Sequence, residues 1–323
     1  MSGREFIALG TGSQVPTRER NHNAYMLRWD GESVLFDPGE GAQRQLTLAN
    51  IAASSIHHIC ITHFHGDHCL GLPGILQRLS VDRCDHPVHL YYPESGQIYV
   101  DRLKGAAIYQ SSLDLQLHPV CNSGNAAVEL FDSGAWTLKS LPLEHSVPTI
   151  GYRFEENSGL RFLREKLELL GVGGPMVGEL RRAGAVLAGG RMVRLEDVTS
   201  VRPGCVLAFI MDTRFCAGAL ALAENADLAV IEATYTTEQQ DLADMYLHSS
   251  ATDAARTAKL AAARKLALTH FSQRYIDTER HLKEAGGIFP NVIALHDLDR
   301  IDIPRSASHD SPISKQDHQP ETI

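Results

Sequence analysis

Thr62-His63-Phe64-His65-Gly66-Asp67-His68 is the stretch whose reading decides the fold. Three imidazoles and a carboxylate crowd into it, too many metal-type donors for a chance cluster. Ahead of it, Ile59-Cys60-Ile61 reads as a buried strand. Behind it, Cys69-Leu70-Gly71-Leu72-Pro73-Gly74-Ile75-Leu76 reads as a helix start with proline in its first turn. The donors therefore sit on a loop at the C-terminal end of a strand, where α/β folds carry their chemistry. His63 and His65 are two apart, so on extended backbone they point the same way and can share one metal ion. Asp67 and His68 turn into the helix and can face a second.

Working outward, strands are expected at residues 5–9, 24–28 and 33–37, with a Gly/Ser/Pro-rich loop at 10–16. Asp37-Pro38-Gly39-Glu40-Gly41 ends the third strand and leads into a helix at 42–49. Further strands are expected at 56–62, 88–92, 127–130, 136–142, 205–211, 228–232 and 265–269, and an Ala-rich helix at 252–264. Residues 152–198 lack the Val/Ile density of their flanks. They read as an insertion that projects from the core, helical over 160–170, with Gly173-Gly174-Pro175 following. After Pro304 the composition turns to Ser, Asp, His, Gln and Pro, so 304–323 are expected to be a disordered tail.

Three more donors stand where strands end: His145, Asp212 and His270. Any one alone would more often cap the next turn. Together with His63, His65, Asp67 and His68 they permit two ions bridged by one carboxylate. Two ions about 3.5–4 Å apart are what hydrolysis by in-line displacement uses. No Cys is among the donors, which suits catalytic more than structural zinc.

These residues resemble the metallo-β-lactamase superfamily, whose fold is an αβ/βα sandwich with a dinuclear metal site at one edge. Within it the chain is similar to the short-form ribonuclease Z family of tRNA 3′-processing endonucleases. The likeness covers nearly all of residues 5–303. It rests on the His63–His68 motif together with Pro16-Thr17-Arg18-Glu19-Arg20-Asn21, Asp37-Pro38-Gly39-Glu40-Gly41, Gly151-Tyr152-Arg153, Asp212-Thr213, Glu232-Ala233-Thr234, His248-Ser249-Ser250-Ala251 and Thr269-His270-Phe271-Ser272-Gln273-Arg274-Tyr275. The resemblance implies one ion held by His63, His65 and His145 and another by Asp67, His68 and His270, with Asp212 bridging. The ions would be zinc, with manganese or iron as substitutes. It further implies a homodimer, in which the 152–198 arm of one subunit grips the tRNA for the active site of the other. The arm holds eight basic residues against seven acidic ones, and it lacks the family's proline before Gly173.

Phosphodiester hydrolysis needs a nucleophile, charge neutralisation and protonation of the leaving oxygen. Asp67 is the candidate to orient the attacking water and take its proton. His248, with Glu232 holding its ring, is the candidate acid for the leaving 3′ oxygen. Arg274 is the candidate phosphate ligand, with Gly173, Gly174 and Pro175 as arm contacts on substrate. The expected activity is removal of 3′ trailers from pre-tRNA, leaving a tRNA 3′-hydroxyl. The alternatives are a phosphodiesterase, thioesterase or lactamase of small substrates on the same fold, or a catalytically silent RNA-binding or metal-storage protein.

Composition bounds the rest. With 43% hydrophobic and 21% charged residues the chain reads as globular, and no apolar run approaches a membrane span. Its N-terminal residues run straight into a strand without a signal-peptide core. The six cysteines are scattered without pairing or zinc-ribbon spacing, as in a reduced cytoplasmic protein. A net charge of −9 argues against a protein that coats nucleic acid but leaves room for a local basic patch.

Overall fold

The computed structural model describes residues 3–303 apart from 110, 122, 123 and 125. The expected disordered tail, 304–323, lies outside the described residues. The chain divides into two compact units, one built from the segments before Glu156 and after Cys205, the other Glu156–Cys205.

The first unit contains two seven-stranded sheets. One is built from β1 (Glu5–Gly10), β2 (Ala24–Trp29), β3 (Glu32–Phe36), β4 (His58–Cys60), β5 (Val88–Pro93) and β6 (Leu115–Val120), with β18 (Arg300–Asp302) on its edge beside β1. The other runs β17-β16-β15-β14-β9-β8-β7. Its strands are β7 (Val128–Asp132), β8 (Trp136–Leu143), β9 (Thr149–Glu156), β14 (Val206–Ile210), β15 (Leu228–Glu232), β16 (Leu266–Thr269) and β17 (Val292–Ala294). Each sheet joins an antiparallel part to a parallel part: β3 to β6 run parallel in the first, β14 to β17 in the second.

Alternation along the strands explains the layering. On β1, Ile7 and Leu9 pack into a cluster with Leu46, Leu72, Ile75 and Leu76 of α1 (Ala42–Leu48) and α3 (Leu72–Val81). Phe6, on the other face, stacks on Tyr25. Tyr25 and Phe36 of the first sheet in turn meet Phe209 of the second, at ring separations of 5.2 and 4.6 Å. Trp29 meets Phe154 at 4.7 Å in the same layer. Behind the second sheet, Ile210, Ile231 and Leu268 pack with Leu222 of α7 (Ala217–Ala223), and with Ala254 and Ala258 of α9 (Ala251–Leu260). Strands sealed on both faces need no polar alternation, which is why they read as apolar runs. The order helix, sheet, sheet, helix is the αβ/βα sandwich that the resemblance implied.

Three further helices complete this unit: α4 (Gln97–Lys104), α8 (Gln240–Tyr246) and α10 (Glu279–Gly286). The metal-type motif itself forms one short turn, α2 (Gly66–Cys69). No helix of the described residues is long and apolar enough to cross a membrane.

In the second unit, β10 (Gly159–Phe162) pairs antiparallel with β13 (Thr199–Arg202), and β11 (Ala185–Ala188) with β12 (Arg191–Arg194). Gly189 and Gly190, both at positive φ, close the β11–β12 hairpin. The helices are α5 (Arg164–Leu169) and α6 (Pro175–Ala183), around a small core of Val172, Leu180, Val186, Val193 and Val198. Two expectations are corrected here. Residues 160–162 are strand and not helix, because Leu160 faces Val201 across a ladder that local propensity does not reveal. The unit also begins and ends later than 152–198, since Tyr152 and Phe154 are fully buried on β9 in the large sheet.

Candidate metal centre

All seven donors converge at strand ends. His63 follows β4, His145 follows β8, and Asp212 and His270 follow β14 and β16. Asp212 and His270 hold left-handed backbone, with φ of 44° and 61°, as does Asp37 after β3 with 42°. Strain of that kind is sustained where surrounding structure over-determines it, characteristically at functional sites. Gly39 is required for close approach: a Cβ there would lie 2.1 Å from the Asp67 carbonyl oxygen, so the loop after β3 can press against the donor turn only with glycine.

The ring nitrogens and carboxylate oxygens sort into two sets around Asp212. His63 Nε2 and His145 Nε2 lie 3.0 and 3.3 Å from His65 Nδ1. The same two Nε2 atoms lie 3.5 and 3.7 Å from Asp212 Oδ2. On the other side, Asp212 Oδ1 is 3.3 Å from His68 Nε2 and 3.0 Å from His270 Nε2, and both rings are within 3.5 Å of Asp67 Oδ2. Each oxygen of one buried carboxylate thus faces a different set, the geometry a bridging ligand needs.

Two features of the cluster fit a metal ion. Asp212 Oδ1 and His270 Nε2 are buried and close together, yet neither makes a hydrogen bond. Buried polar atoms without partners normally cost stability, and a cation shared by the two would satisfy both. The outward nitrogens are then held by hydrogen bonds. His68 Nδ1 donates to Asp37 Oδ2 at 2.9 Å and His145 Nδ1 to the Leu247 carbonyl at 3.1 Å. Such partners fix the tautomer that leaves Nε2 free.

Electrostatics point the same way. Burial alone would raise the Asp212 carboxyl, but His270, His68 and the neighbouring rings outweigh it and hold it ionised, well below the usual carboxylate range. His270 shows the converse: burial would lower it, while Asp212 and Asp67 pull it up to about 10. The attraction those carboxylates exert on a proton is available to a metal cation, which binds the deprotonated ligands. His63 is driven the other way, well below the ordinary histidine value, by burial and by His68 beside it. The cluster is a metal-binding site of histidine and aspartate.

Beside it, Glu232 is fully buried at the end of β15 and bonds His248 Nδ1 through Oε1 at 2.9 Å. Burial lowers His248, but the Glu232 and Asp212 charges overcome this and raise it. His248 stands on a loop ahead of a helix. It lies between α8 and Ser250, the N-cap of α9, after Leu247 at φ 57°. Ser249 Oγ donates to the Thr213 carbonyl at 2.6 Å and ties this loop to the Asp212 loop. His65, His145, Asp212, His248 and His270 share one cavity of about 520 Å³ with Arg274, whose exposed side chain makes no ion pair among the described residues.

Residues 17–172 match the sequence model of the metallo-beta-lactamase superfamily. Over 305 residues the chain is 50% identical to ribonuclease Z of Nocardia farcinica, covering 94% of this chain and 99% of that one. It is 48% identical to ribonuclease Z of Streptomyces avermitilis over 307 residues, with 94% and 99% coverage. The chain belongs to the ribonuclease Z family. Its structure is similar to that of human tRNase Z, short form, at a TM-score of 0.68 and 27% identity, covering 93% and 99% of the two chains.

Against that family background, Gly173, Gly174 and Pro175 belong to the second unit. There Pro175 opens α6 and Gly174 adopts φ 57° ahead of it. Three residues with no assigned role from sequence turn out to brace the donors: Asp37, Thr62 and Thr234. Asp37 accepts from the Thr62 backbone at 2.7 Å, the Thr62 hydroxyl at 2.8 Å and His68. The signal was present in Asp37-Pro38-Gly39, since a carboxylate at a strand end beside a donor loop is available to brace it.

Proposed function

We propose that this protein is a metal-dependent endoribonuclease that removes 3′ trailers from pre-tRNA by hydrolysis and leaves a tRNA 3′-hydroxyl. His63, His65 and His145 would hold one ion and Asp67, His68 and His270 the other, with Asp212 available to both. The ions are two zinc per chain, with manganese or iron as substitutes. The observation that carries the reading is the Glu232–His248 pair opening into the cavity that the donors and Arg274 share. A metal centre alone would serve any hydrolase of the superfamily. Support from relatives is direct: the proteins nearly half identical along their whole length are ribonucleases Z.

When bound, the ions supply positive charge that activates a water and offsets the charge gathering at phosphorus. Asp67 orients that water and accepts its proton. Glu232 holds the His248 ring with Nδ1–H facing the carboxylate, so Nε2 carries the transferable proton. His248 delivers it to the leaving 3′ oxygen. Arg274, with a guanidinium unclaimed among the described residues, binds a substrate phosphate through its two-pronged donor face.

The Glu156–Cys205 unit serves as the arm that grips tRNA. Exposed Arg182 and Arg191, without an acidic partner among the described residues, are suited to phosphates, and Gly173-Gly174-Pro175 to a close backbone approach. The enzyme acts in the cytoplasm, in keeping with the buried thiols Cys60, Cys69 and Cys216, and as a homodimer. The test is incubation with a 3′-extended pre-tRNA and mapping of the cut, alongside a chromogenic phosphodiester. Cleavage of the small ester with no processing of pre-tRNA would replace this reading with that of a general phosphodiesterase.

A further inference from the structure

Thr234 sits at a junction that neither the metal ligands nor the Glu232–His248 pair accounts for. Its side chain is 3% exposed. Its hydroxyl oxygen lies 2.6 Å from Glu232 Oε2 and 2.6 Å from His270 Nδ1. A hydroxyl has one proton to give, so the two contacts cannot both be donations. Every other group around the Glu232 carboxylate is a donor: the Thr213 backbone N–H at 2.7 Å, the Thr234 backbone N–H at 3.3 Å and His248 Nδ1 at 2.9 Å. An ionised carboxylate only accepts. The Thr234 proton therefore goes to Glu232, and the hydroxyl lone pair faces His270 Nδ1. That nitrogen must carry hydrogen, so Nε2, beside Asp67 and Asp212, is the ring atom that can exchange its proton for a metal cation.

The first sheet repeats the device. Thr62 donates through Oγ1 to Asp37 Oδ2 at 2.8 Å and stands 3.0 Å from His63 Nδ1, while Asp37 also binds His68. In both cases a strand-end carboxylate holds one histidine directly and a second through a threonine hydroxyl. The second sheet differs in that the directly held ring is His248 and not a ligand of either three-histidine or Asp–His–His set.

We propose that Thr234 is a positioning residue that sets the tautomer of His270 for metal binding and fixes Glu232 for its hold on His248. It thereby joins the metal site to the proton donor through one hydroxyl. The proposal rests on the metal-centre reading given above. Thr62 has the corresponding task for His63.

The decisive comparison is Thr234→Val, which keeps the branched shape and removes the hydroxyl, against Thr234→Ser, which keeps the hydroxyl. The first readout needs no metal: long-range ¹H–¹⁵N imidazole spectra of the metal-free protein. In wild type and Thr234→Ser, the His270 Nδ1–H should appear as a downfield, slowly exchanging proton held by the hydroxyl; in Thr234→Val that protection should be lost. The second readout is zinc affinity by chelator competition. In Thr234→Val one ion should bind roughly 10–100-fold more weakly, the usual consequence of losing a partner of a ligating histidine, with the other changed far less. Thr234→Ser should restore it. Thr62→Val should weaken the ion that Thr234→Val spares. If Thr234→Val does not fold, Thr234→Ala reads the same loss. An unchanged His270 Nδ1–H signal together with two unchanged affinities would overturn the proposal. So would a serine variant that fails to rescue, because the methyl group and not the hydroxyl would then matter. A wild-type protein that takes up no ion would sink the metal-centre reading itself, while the Nδ1–H measurement would still judge Thr234.

Discussion

At the strand ends of the large sheets, several donors are held by fixed neighbours: His68 by Asp37, which Thr62 holds in turn, and His145 by the Leu247 carbonyl. In the Glu156–Cys205 unit, four valines, a leucine and an alanine make the core and most of the arginines stand exposed, Arg164 beside its helix neighbour Glu168. The same chain thus contains a region where a shift of an ångström would disable the chemistry and one where several arrangements of charge would serve. Chemistry at a reacting centre demands fixed distances. Phosphate attraction is long-ranged and tolerant, and it reads charge more than geometry.

The sharpest way to break this contrast is Asp212→Ala. A ligand whose two oxygens face two donor sets belongs to both, so both ions should be lost together and hydrolysis of every substrate should fall to background. Metal-to-protein ratios by mass spectrometry check it; two ions retained would remove the bridging role. Next in size is His248→Ala. The ring is outside both three-member ligand sets assigned here, so metal content should persist while turnover drops by roughly 10²–10⁴, the range for one positioned acid. Parallel loss of metal and rate would make His248 a structural support.

Replacing residues 158–194 with a short linker should separate the two regions. No donor lies in that segment, so metal content and hydrolysis of a chromogenic phosphodiester should survive. Pre-tRNA cleavage should fall mainly through KM, as expected when remote contacts and not reacting groups are removed. Unchanged pre-tRNA cleavage would leave the unit without a part in substrate binding.

The core was legible because metal chemistry is written in residue types at strand ends. His63, His65, Asp67 and His68 announce themselves, and His145, Asp212 and His270 each follow a strand, apolar in the last two cases. The bracing residues were not, since a threonine hydroxyl or Asp37 gains its role only when loops distant in sequence meet. The strand at residues 159–162 was missed for the same reason: its partner lies at 199–202. β6 was missed because it carries Gln116, His118 and Pro119, a poor strand signal rescued by pairing with β5.

A smaller effect separates the regions by pH. The Glu156–Cys205 unit contains no histidine, whereas His58 in the core is packed against His89, Phe131 and Trp136. Burial, then the charges of His89 and His57, depress His58 from 6.5 to about 3. A depressed folded-state value means the stability is present above pH 6.5 and lost as pH falls toward 3, because the unfolded chain takes up the proton first. In metal-free protein, which excludes acid release of ions, His58→Phe should move the acid-unfolding midpoint of the core to lower pH. Hydrogen exchange resolved by segment would check it; an unshifted midpoint would show that other groups govern acid unfolding.

The smallest expected effect tests the tolerant region on its own terms. Arg182→Ala with Arg191→Ala removes two exposed cations and no buried contact, so stability should change within about 0.5 kcal/mol. If each meets a phosphate, pre-tRNA affinity should weaken and the slope of log affinity against log salt should become shallower by about one to two units. Because basic and acidic residues nearly balance in the unit, the wild-type slope it contributes should itself be modest, worth about two or three phosphates. The rate at saturating pre-tRNA should be unchanged, since neither residue touches the reacting atoms. A lowered saturating rate with an unchanged salt slope would mean that these arginines act on the geometry of catalysis, and the division between a fixed core and a tolerant arm would fail at this point.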